Sequence, residues 1–327
     1  MSVGVVGLGA TGFHVAQQLM ASDLERIVVT DSNSRRRDEM VARLVSTDGD
    51  RCIETTGIDD VDVLILALPA GGHGELARRA ISAGSHVLSL SDRPEDVAGL
   101  LGLSEFARTR ERAVVVGAGF APGLSCLLVR HAAAALDRVD AVSISKAGTG
   151  GPACARQHHR ALKRSGRDWV DGNWVLRRGG SGRDLAWFPD PIGARDCYRG
   201  ALAGPTLIHR LFPEASRISE RVAATRRDRF TSWLPMLRPP HSDGGTGGLR
   251  VEVRGRSEGR VETIVYGVVA TLSVAAGTVA AVGALGLGVG CWSPGTHGYG
   301  EAASPFELLQ QVRDRGIRIF THAESGN

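Results

Sequence analysis

The chain is short of aromatic side chains (5% of 327 residues, with only 3 tyrosines), lacks a cysteine framework and has no strong charge of either sign. Each shortage excludes something. The five cysteines, Cys52, Cys126, Cys154, Cys197 and Cys291, are odd in number and widely spaced, with no CxxC pair and no Cys/His grouping at zinc spacing. Neither a disulfide scaffold nor a metal site is expected. A formal charge of +4 spread among interleaved acids gives no case for a nucleic-acid groove, although it suits a small anionic substrate. No basic segment followed by an apolar core and a cleavage site opens the chain, so no signal peptide is expected and a reducing cytoplasm is the simplest setting. The longest uncharged run, 264–290, is long enough to span a bilayer but is built mostly of Ala, Gly, Val, Thr and Ser. It reads as the end of a strand followed by a buried helix, with no membrane partner.

What the chain does have is glycine, 43 in all, and the most telling of them stand at the start. Val3 to Gly7 reads as a buried strand, and Gly7, Gly9 and Gly12 follow in G-x-G-x-x-G spacing before a helix that continues to about Ala21. In a dinucleotide-binding turn the first glycine permits the tight bend. The second lets a pyrophosphate approach the backbone, and the third lets helix and strand pack closely. The helix N-terminus, including Ala10 and Thr11, presents N–H groups and a positive dipole end to the phosphates. Asp31 follows Gly12 by 19 positions, at the end of a second strand, where a carboxylate can accept bonds from the adenosine ribose. It favours NAD. Arg35, Arg36 and Arg37 just beyond it keep NADP as the alternative, since guanidinium groups bind a 2′-phosphate well.

Strand and helix alternate through residue 123, with further strands at 52–54, 61–68, 86–90 and 113–117. The expectation is an α/β chain: an N-terminal Rossmann domain with a doubly wound parallel sheet over 1–123, then an α+β substrate and dimerisation domain over 124–300 with a mixed or antiparallel sheet. A closing helix and strand, 301–327, are expected to return to the first domain. Ligands of such sheets lie beyond the carboxyl ends of the strands. That gathers the Gly7 loop, Asp31, the turn from Pro69 to His73, Ser91 to Pro94 and Gly117 to Ser125 around one crevice.

Two resemblances follow from these residues. Gly119-Phe120-Ala121-Pro122-Gly123-Leu124-Ser125 is similar to the G-x-x-P-G-x-S turn of the saccharopine dehydrogenase-like reductases. Val251-Glu252-Val253-Arg254-Gly255, Tyr266, the Ala/Gly-rich helix and Pro305-Phe306-Glu307-Leu308-Leu309 resemble the closing pattern of that family. The resemblance implies an NAD(P)-dependent oxidoreductase acting at a C–N bond, by imine reduction or amine oxidation, of a small amino-acid-like carboxylate held between the domains. The Gfo/Idh/MocA-type sugar dehydrogenases are the second resemblance. They carry Glu-Lys-Pro after strand five, where this chain reads Asp92-Arg93-Pro94, and Arg93 cannot readily exchange a proton near neutrality. A catalytically silent dinucleotide-binding sensor or partner subunit is the remaining alternative.

Hydride transfer belongs to the cofactor, so protein groups are expected to position substrate and carry protons. Lys146, His158 and Asp92 are the expected catalytic residues. Pro122, Gly123, Ser125, Arg156, Tyr198 and Arg199 are expected at the substrate, with Pro122-Gly123 opening a helix whose first N–H groups and Ser125 would hold a carboxylate. His73, Arg93, His159, Asp190 and Arg195 are further candidates. A homodimer is the expected assembly.

Overall fold

The computed structural model describes residues 1–47, 53–236 and 241–324. The first half alternates as β1 (Ser2–Val6), α1 (Ala10–Met20), β2 (Arg26–Thr30), α2 (Ser34–Thr47), β3 (Ile53–Glu54), β4 (Val63–Leu66), α3 (His73–Ala83), β5 (His86–Ser89), α4 (Pro94–Leu101), α5 (Ser104–Arg108) and β6 (Ala113–Val116). Cys52, expected to begin the third strand, lies outside the described residues. Val63 to Leu66 and Ala113 to Val116 are apolar at every position because helices cover both faces of the sheet, leaving no solvent side to alternate with.

The chain continues through α6 (Leu124–Ala133), β7 (Arg138–Ala147), α7 (Pro152–Ala161), β8 (Gly166–Val170), β9 (Asn173–Arg177), β10 (Asp184–Phe188), β11 (Gly193–Tyr198), α8 (Gly204–Leu211), β12 (Arg217–Ala223) and α9 (Arg226–Thr231). It closes with β13 (Thr246–Ser257), β14 (Arg260–Thr271), α10 (Leu272–Gly288), β15 (Gly295–Gly298), α11 (Pro305–Asp314) and β16 (Ile319–Glu324).

Two sheets result. The first has the order β15-β6-β5-β4-β1-β2-β3 and is parallel throughout. The second has the order β10-β11-β12-β7-β13-β14-β16, with β8 and β9 attached to β12. It is mixed: β12 runs parallel to β7, and the other neighbours are antiparallel. Period-two burial along β12 and β13 directs Ile218, Val251 and Val253 into the shared core and Val222 into a smaller cluster beside it, with Arg221, Arg250 and Glu252 on the other face.

The expected boundaries differ in two places. The chain after residue 124 does not stay in one domain. β15 extends the first sheet beside β6, and α10 packs on α1, β4 and β5. The uncharged run is thus β14 followed by a helix buried against the dinucleotide-binding helix. Its small residues are explained by that packing: a Cβ at Gly277 would stand 2.8 Å from the His14 backbone. The terminal strand also departs from expectation. α11 packs against α6 and α10, but β16 pairs with β14 and closes the second sheet rather than the first. Among the described residues no helix is long and apolar enough to cross a membrane.

Candidate active site

The three glycines of the opening loop play different parts. Gly7 has φ +96°, and a Cβ there would stand 2.6 Å from Ala67 O; at Gly12 it would collide with Gly7 O. Both are required by the fold itself. At Gly9 a Cβ would meet nothing within 4 Å, so the surrounding protein makes no demand for glycine there. The demand fits a ligand that approaches the backbone, as a pyrophosphate does. The helical ladder of α1 begins with Phe13 N–H on Gly9 O, leaving the amides of Ala10, Thr11 and Gly12 ahead of it. No acidic side chain occupies that first turn.

Asp31, just past β2, braces the loop. Its Oδ2 accepts from Leu8 N–H at 2.8 Å and its Oδ1 from Asn33 N–H at 2.8 Å. A carboxylate oxygen accepts more than one bond, so both functions, bracing and ribose binding, can coexist. Arg35 pairs with Glu39 and Arg37 with Asp38, whereas Arg36 turns back to within 3.9 Å of Asp31. Of the three arginines, Arg36 is therefore the one beside Asp31. Pro69 leaves β4 on the same edge, and its carbonyl lies 3.2 Å from His73 Nε2. His73 is fully buried, with Nδ1 3.0 Å from Ser89 Oγ, and burial lowers its pKa. It ties the turn to β5 and does not face the crevice.

The three expected catalytic residues converge. Asp92 follows β5, Lys146 is near the end of β7 and His158 is on α7; all three meet where the carboxyl edge of the first sheet abuts the second. Lys146 Nζ donates to Asp92 Oδ2 at 3.0 Å and to Ala121 O at 2.9 Å. His158 Nε2 lies 2.9 Å from the same Asp92 oxygen. Gln157 donates to Asp92 Oδ1. Exposure separates the members: the side chains of Asp92 and His158 keep 16% and 10% of theirs, but Lys146 keeps 4% and Glu220 only 1%. Lys146 therefore sits beneath Asp92 rather than in the crevice.

Two further members were not expected from the sequence. Glu220 on β12 brings Oε1 to 3.5 Å from Lys146 Nζ, while its Oε2 accepts from Gly204 N–H at 3.0 Å. Cys154, one turn before His158, places its Sγ 3.8 Å from His158 Nε2. The signal for Glu220 is the alternation Ile218, Glu220, Val222, which puts a carboxylate on the inward face of a strand. The i, i+4 spacing of Cys154 and His158 on a helix is the signal for the thiol.

Burial sets the electrostatics, and neighbouring charges decide its outcome. Desolvation opposes the charge on Asp92, but Lys146 and His158 overcome it and hold the carboxyl well below its usual range. For Lys146 desolvation likewise opposes the charge; Asp92 and Glu220 outweigh it and raise the ammonium above its ordinary value. Burial also works against an imidazolium at His158, yet the Cys154 sulfur and the bond to Asp92 push it up to about 9. Glu220 moves the other way: burial and Asp92 raise it, and Lys146 offsets only part of that.

The expected substrate residues fare less well. Pro122, Gly123 and Ser125 are buried. The N–H groups at the start of α6 are already bonded: Leu124 to Gly119 O, Ser125 to Phe120 O and Cys126 to Gly123 O. The expected carboxylate site at this helix start is therefore absent, because the preceding loop folds back and supplies the acceptors. Cys126 is a packed thiol, with burial pushing it up to about 11. Arg156 is on the exposed face of α7. Tyr198 is buried in a small cluster with Ala161, Leu162, Leu202 and Val222, with Arg229 over its ring. Arg199 is committed to Asp168 at 2.7 Å on the opposite, outer face of the second sheet. Successive residues at a strand end point to opposite faces, so Tyr198 and Arg199 cannot line one pocket. Asp190 and Arg195 lie in the β10–β11 hairpin at the edge of the second sheet, and Arg93 is ion-paired to Glu95 at 2.8 Å. His159 is buried, with Nε2 3.1 Å from Thr231 Oγ1.

One turn along α7 from His158, a cavity of about 390 Å³ opens between Leu162, Arg178 to Ser181 and α9. Lys163, Arg178 and Arg229 give it a cationic wall, and Phe230 and Trp233 an aromatic one. The connection from β7 to α7 also reaches the cofactor loop: Thr11 Oγ1 lies 3.4 Å from Gly150 O, and a Cβ at Gly151 would stand 2.8 Å from that of Ala10. Dinucleotide loop and acid/base cluster are therefore linked through one short segment.

Residues 1–118 match the Gfo/Idh/MocA oxidoreductase family, NAD-binding Rossmann fold. No curated protein matches the chain by sequence. Among solved structures, apo saccharopine dehydrogenase (L-Glu forming) from Saccharomyces cerevisiae superimposes with a TM-score of 0.70 at 14% identity, covering 98% of this chain and 100% of the other. GenD2 from gentamicin A biosynthesis, in complex with NAD, gives 0.48 at 18% identity over 98% and 96% of the two chains. The C. glutamicum DAP dehydrogenase in complex with DAP gives 0.47 at 16% over 97% and 99%. The chain thus has the two-domain fold of saccharopine dehydrogenase, and its N-terminal domain is that of an NAD-binding oxidoreductase.

Proposed function

We propose that the protein oxidises an amine, or reduces the corresponding imine, of a small amino-acid-like carboxylate bound between its two sheets, with NAD as cofactor and NADP as the alternative. The observation that carries this reading is the Lys146–Asp92–His158 cluster at the carboxyl edge of the first sheet, where a nicotinamide held by the Gly7–Gly12 loop would end. When bound, the nicotinamide exchanges a hydride with the substrate carbon. The chain's own residues handle the rest.

His158 is the proton carrier in this proposal. It keeps more access to the crevice and is pushed up to about 9, whereas Lys146 is buried and held charged. In the oxidative direction neutral His158 takes the proton lost by the substrate amine; in the reductive direction imidazolium returns it to the nitrogen. Asp92 orients the ring and favours its charged form. Lys146 and Glu220 are positioning residues that fix Asp92 from below. The substrate carboxylate is assigned to the cationic wall of Lys163, Arg178 and Arg229, since the start of α6 has no free amides to offer.

The sugar-dehydrogenase alternative is supported by the match of residues 1–118 to the Gfo/Idh/MocA oxidoreductase family, and differs from this reading at Arg93. The residue standing where that family carries its proton-donating lysine is turned away into a pair with Glu95. The test is turnover: purified protein with NAD or NADP and a panel of amino acids, and with NADH or NADPH and mixtures of 2-oxo acids and amines. Nicotinamide absorbance should change with a member of these panels and not with cyclic polyols. Turnover of polyols alone would replace the reading with the sugar alternative, and cofactor binding without any turnover would leave a silent dinucleotide-binding protein.

A further inference from the structure

The outward face of the second sheet is built unlike a merely solvated surface. Across β12, β7 and β13 the strand register aligns Arg217, Ala141 and Arg254 in one row, Ser219, Ser143 and Glu252 in the next, and Arg221, Ser145 and Arg250 in a third. The middle strand contributes only small side chains, so the rows form a trough with an Ala/Ser floor and arginine walls. The β8–β9 hairpin brings Arg177 and Asp168 to one side, and the start of β10 brings Asp184. A cavity of about 370 Å³ results.

Its charges do not balance. Each acid at the trough has its own arginine: Asp168 with Arg199 at 2.7 Å, Glu252 with Arg250 at 2.9 Å and Asp184 with Arg221 at 3.7 Å. Arg177, Arg217 and Arg254 remain without a carboxylate partner among the described residues, and all three line the same cavity. With neighbouring strands about 4.8 Å apart, Arg217 and Arg254 start roughly 10 Å from one another and flank Ala141 from both sides. The three guanidinium groups are exposed over one cavity with no carboxylate to occupy their donors, and a phosphate can accept two parallel bonds from such a group.

We propose that this trough binds a small phosphate-bearing compound, at a site on the opposite face of the sheet from the Lys146–Asp92 cluster. Arg217 and Arg254 clamp the phosphate over Ala141, Arg177 closes the side, and the Ser143 and Ser219 hydroxyls bond the remainder of the ligand. Strands β7 and β12 carry Lys146 and Glu220 on their other face.

The experiment is titration calorimetry of the full chain saturated with NADH, so that the dinucleotide site is filled, using inorganic tripolyphosphate and inorganic phosphate as probes. Saturable binding of tripolyphosphate is expected, weakened about tenfold or more by Arg217→Ser and by Arg254→Ser, and unchanged by Arg195→Ser on the β10–β11 hairpin. Arg217→Lys, which keeps the charge and loses the fork, should weaken binding less than Arg217→Ser. Unchanged thermal midpoints and NADH affinity of the variants show that they fold. Absence of saturable binding, or equal loss in the Arg195 variant, would overturn the proposal. So would sedimentation showing a dimer that Arg217→Ser/Arg254→Ser dissociates and tripolyphosphate leaves intact, since the trough would then belong to an interface between copies.

Discussion

Lys146 Nζ and Asp92 Oδ2 lie 3.0 Å apart, and this ion pair sits in a buried cluster that joins the two sheets. Lysine donates two hydrogen bonds here, to Asp92 and to Ala121 O, and Glu220 Oε1 lies 3.5 Å away as a second ion-pair partner. Replacing Lys146 by methionine leaves Glu220 without its cation and Asp92 with His158 alone. The loss should be about 3–5 kcal/mol, read as a lower denaturant midpoint. The sign of its pH dependence follows from Asp92, whose pKa is depressed in the folded chain. That stabilisation is present above the ordinary carboxyl range and fades as pH falls through the folded value. The gap between wild type and Lys146→Met should therefore be widest near neutrality and narrow in acid. A gap that stays constant down to strongly acidic pH would show that the pair contributes no charge-dependent stability.

His158 is pushed up to about 9, so its charge changes in a range that kinetics can reach. Amine oxidation needs the neutral ring, and its rate should rise as pH climbs towards and through about 9. Imine reduction needs the imidazolium and should fall over the same interval. His158→Gln should lower kcat by about a hundredfold or more and remove that limb in both directions. For stability the sign is the reverse of Asp92: the raised imidazolium stabilises fully below about 6.5 and the contribution is lost as pH rises through about 9. A pH profile unchanged in the glutamine variant would assign the proton to another group.

Much of this site was legible in the sequence, and the reason is chemical. Only two lysines, Lys146 and Lys163, stand among 39 basic residues. In so arginine-rich a chain, lysine at a strand end marks a place where a compact ammonium is needed and a planar guanidinium does not fit. The G-x-G-x-x-G loop and Asp31 were readable because their spacing is set by backbone geometry within one βαβ unit. Partnerships between distant segments were less so. That Asp92, Gln157 and His158 meet depends on how the two sheets abut, and no local pattern encodes it. The start of α6 misled for the opposite reason: Pro122-Gly123 does mark a helix start, but whether its amides are free depends on the return of Gly119 and Phe120 to accept them. The excursion of β15 back to the first sheet was likewise invisible, since Gly295 to Gly298 has little strand propensity and is held by its pairing with β6.

Gly9 and Gly12 should separate binding from folding. A side chain at Gly12 collides with Gly7 O, so Gly12→Val should lower the thermal midpoint and reduce soluble yield. A side chain at Gly9 meets open space within the protein, so Gly9→Val should leave the midpoint of the free protein within a few degrees of wild type while abolishing NADH binding followed by fluorescence. Retained affinity in Gly9→Val would mean that the pyrophosphate lies elsewhere.

Cofactor choice turns on Asp31 and Arg36, 3.9 Å apart. In the proposed cofactor site the carboxylate would accept from the ribose hydroxyls and repel a 2′-phosphate, while Arg36 is partly neutralised by it. Asp31→Ser keeps an acceptor for the Leu8 N–H but removes the repulsion and frees the guanidinium. The ratio of NADPH to NADH affinity should rise by about ten- to a hundredfold, the range of one charge-assisted hydrogen bond. Arg36→Ala in that background should reverse most of the gain, because the remaining arginines are held by Glu39 and Asp38. If the single substitution weakens both cofactors equally, the carboxylate serves only to brace the loop through Leu8 and Asn33, and the ribose is recognised by other groups.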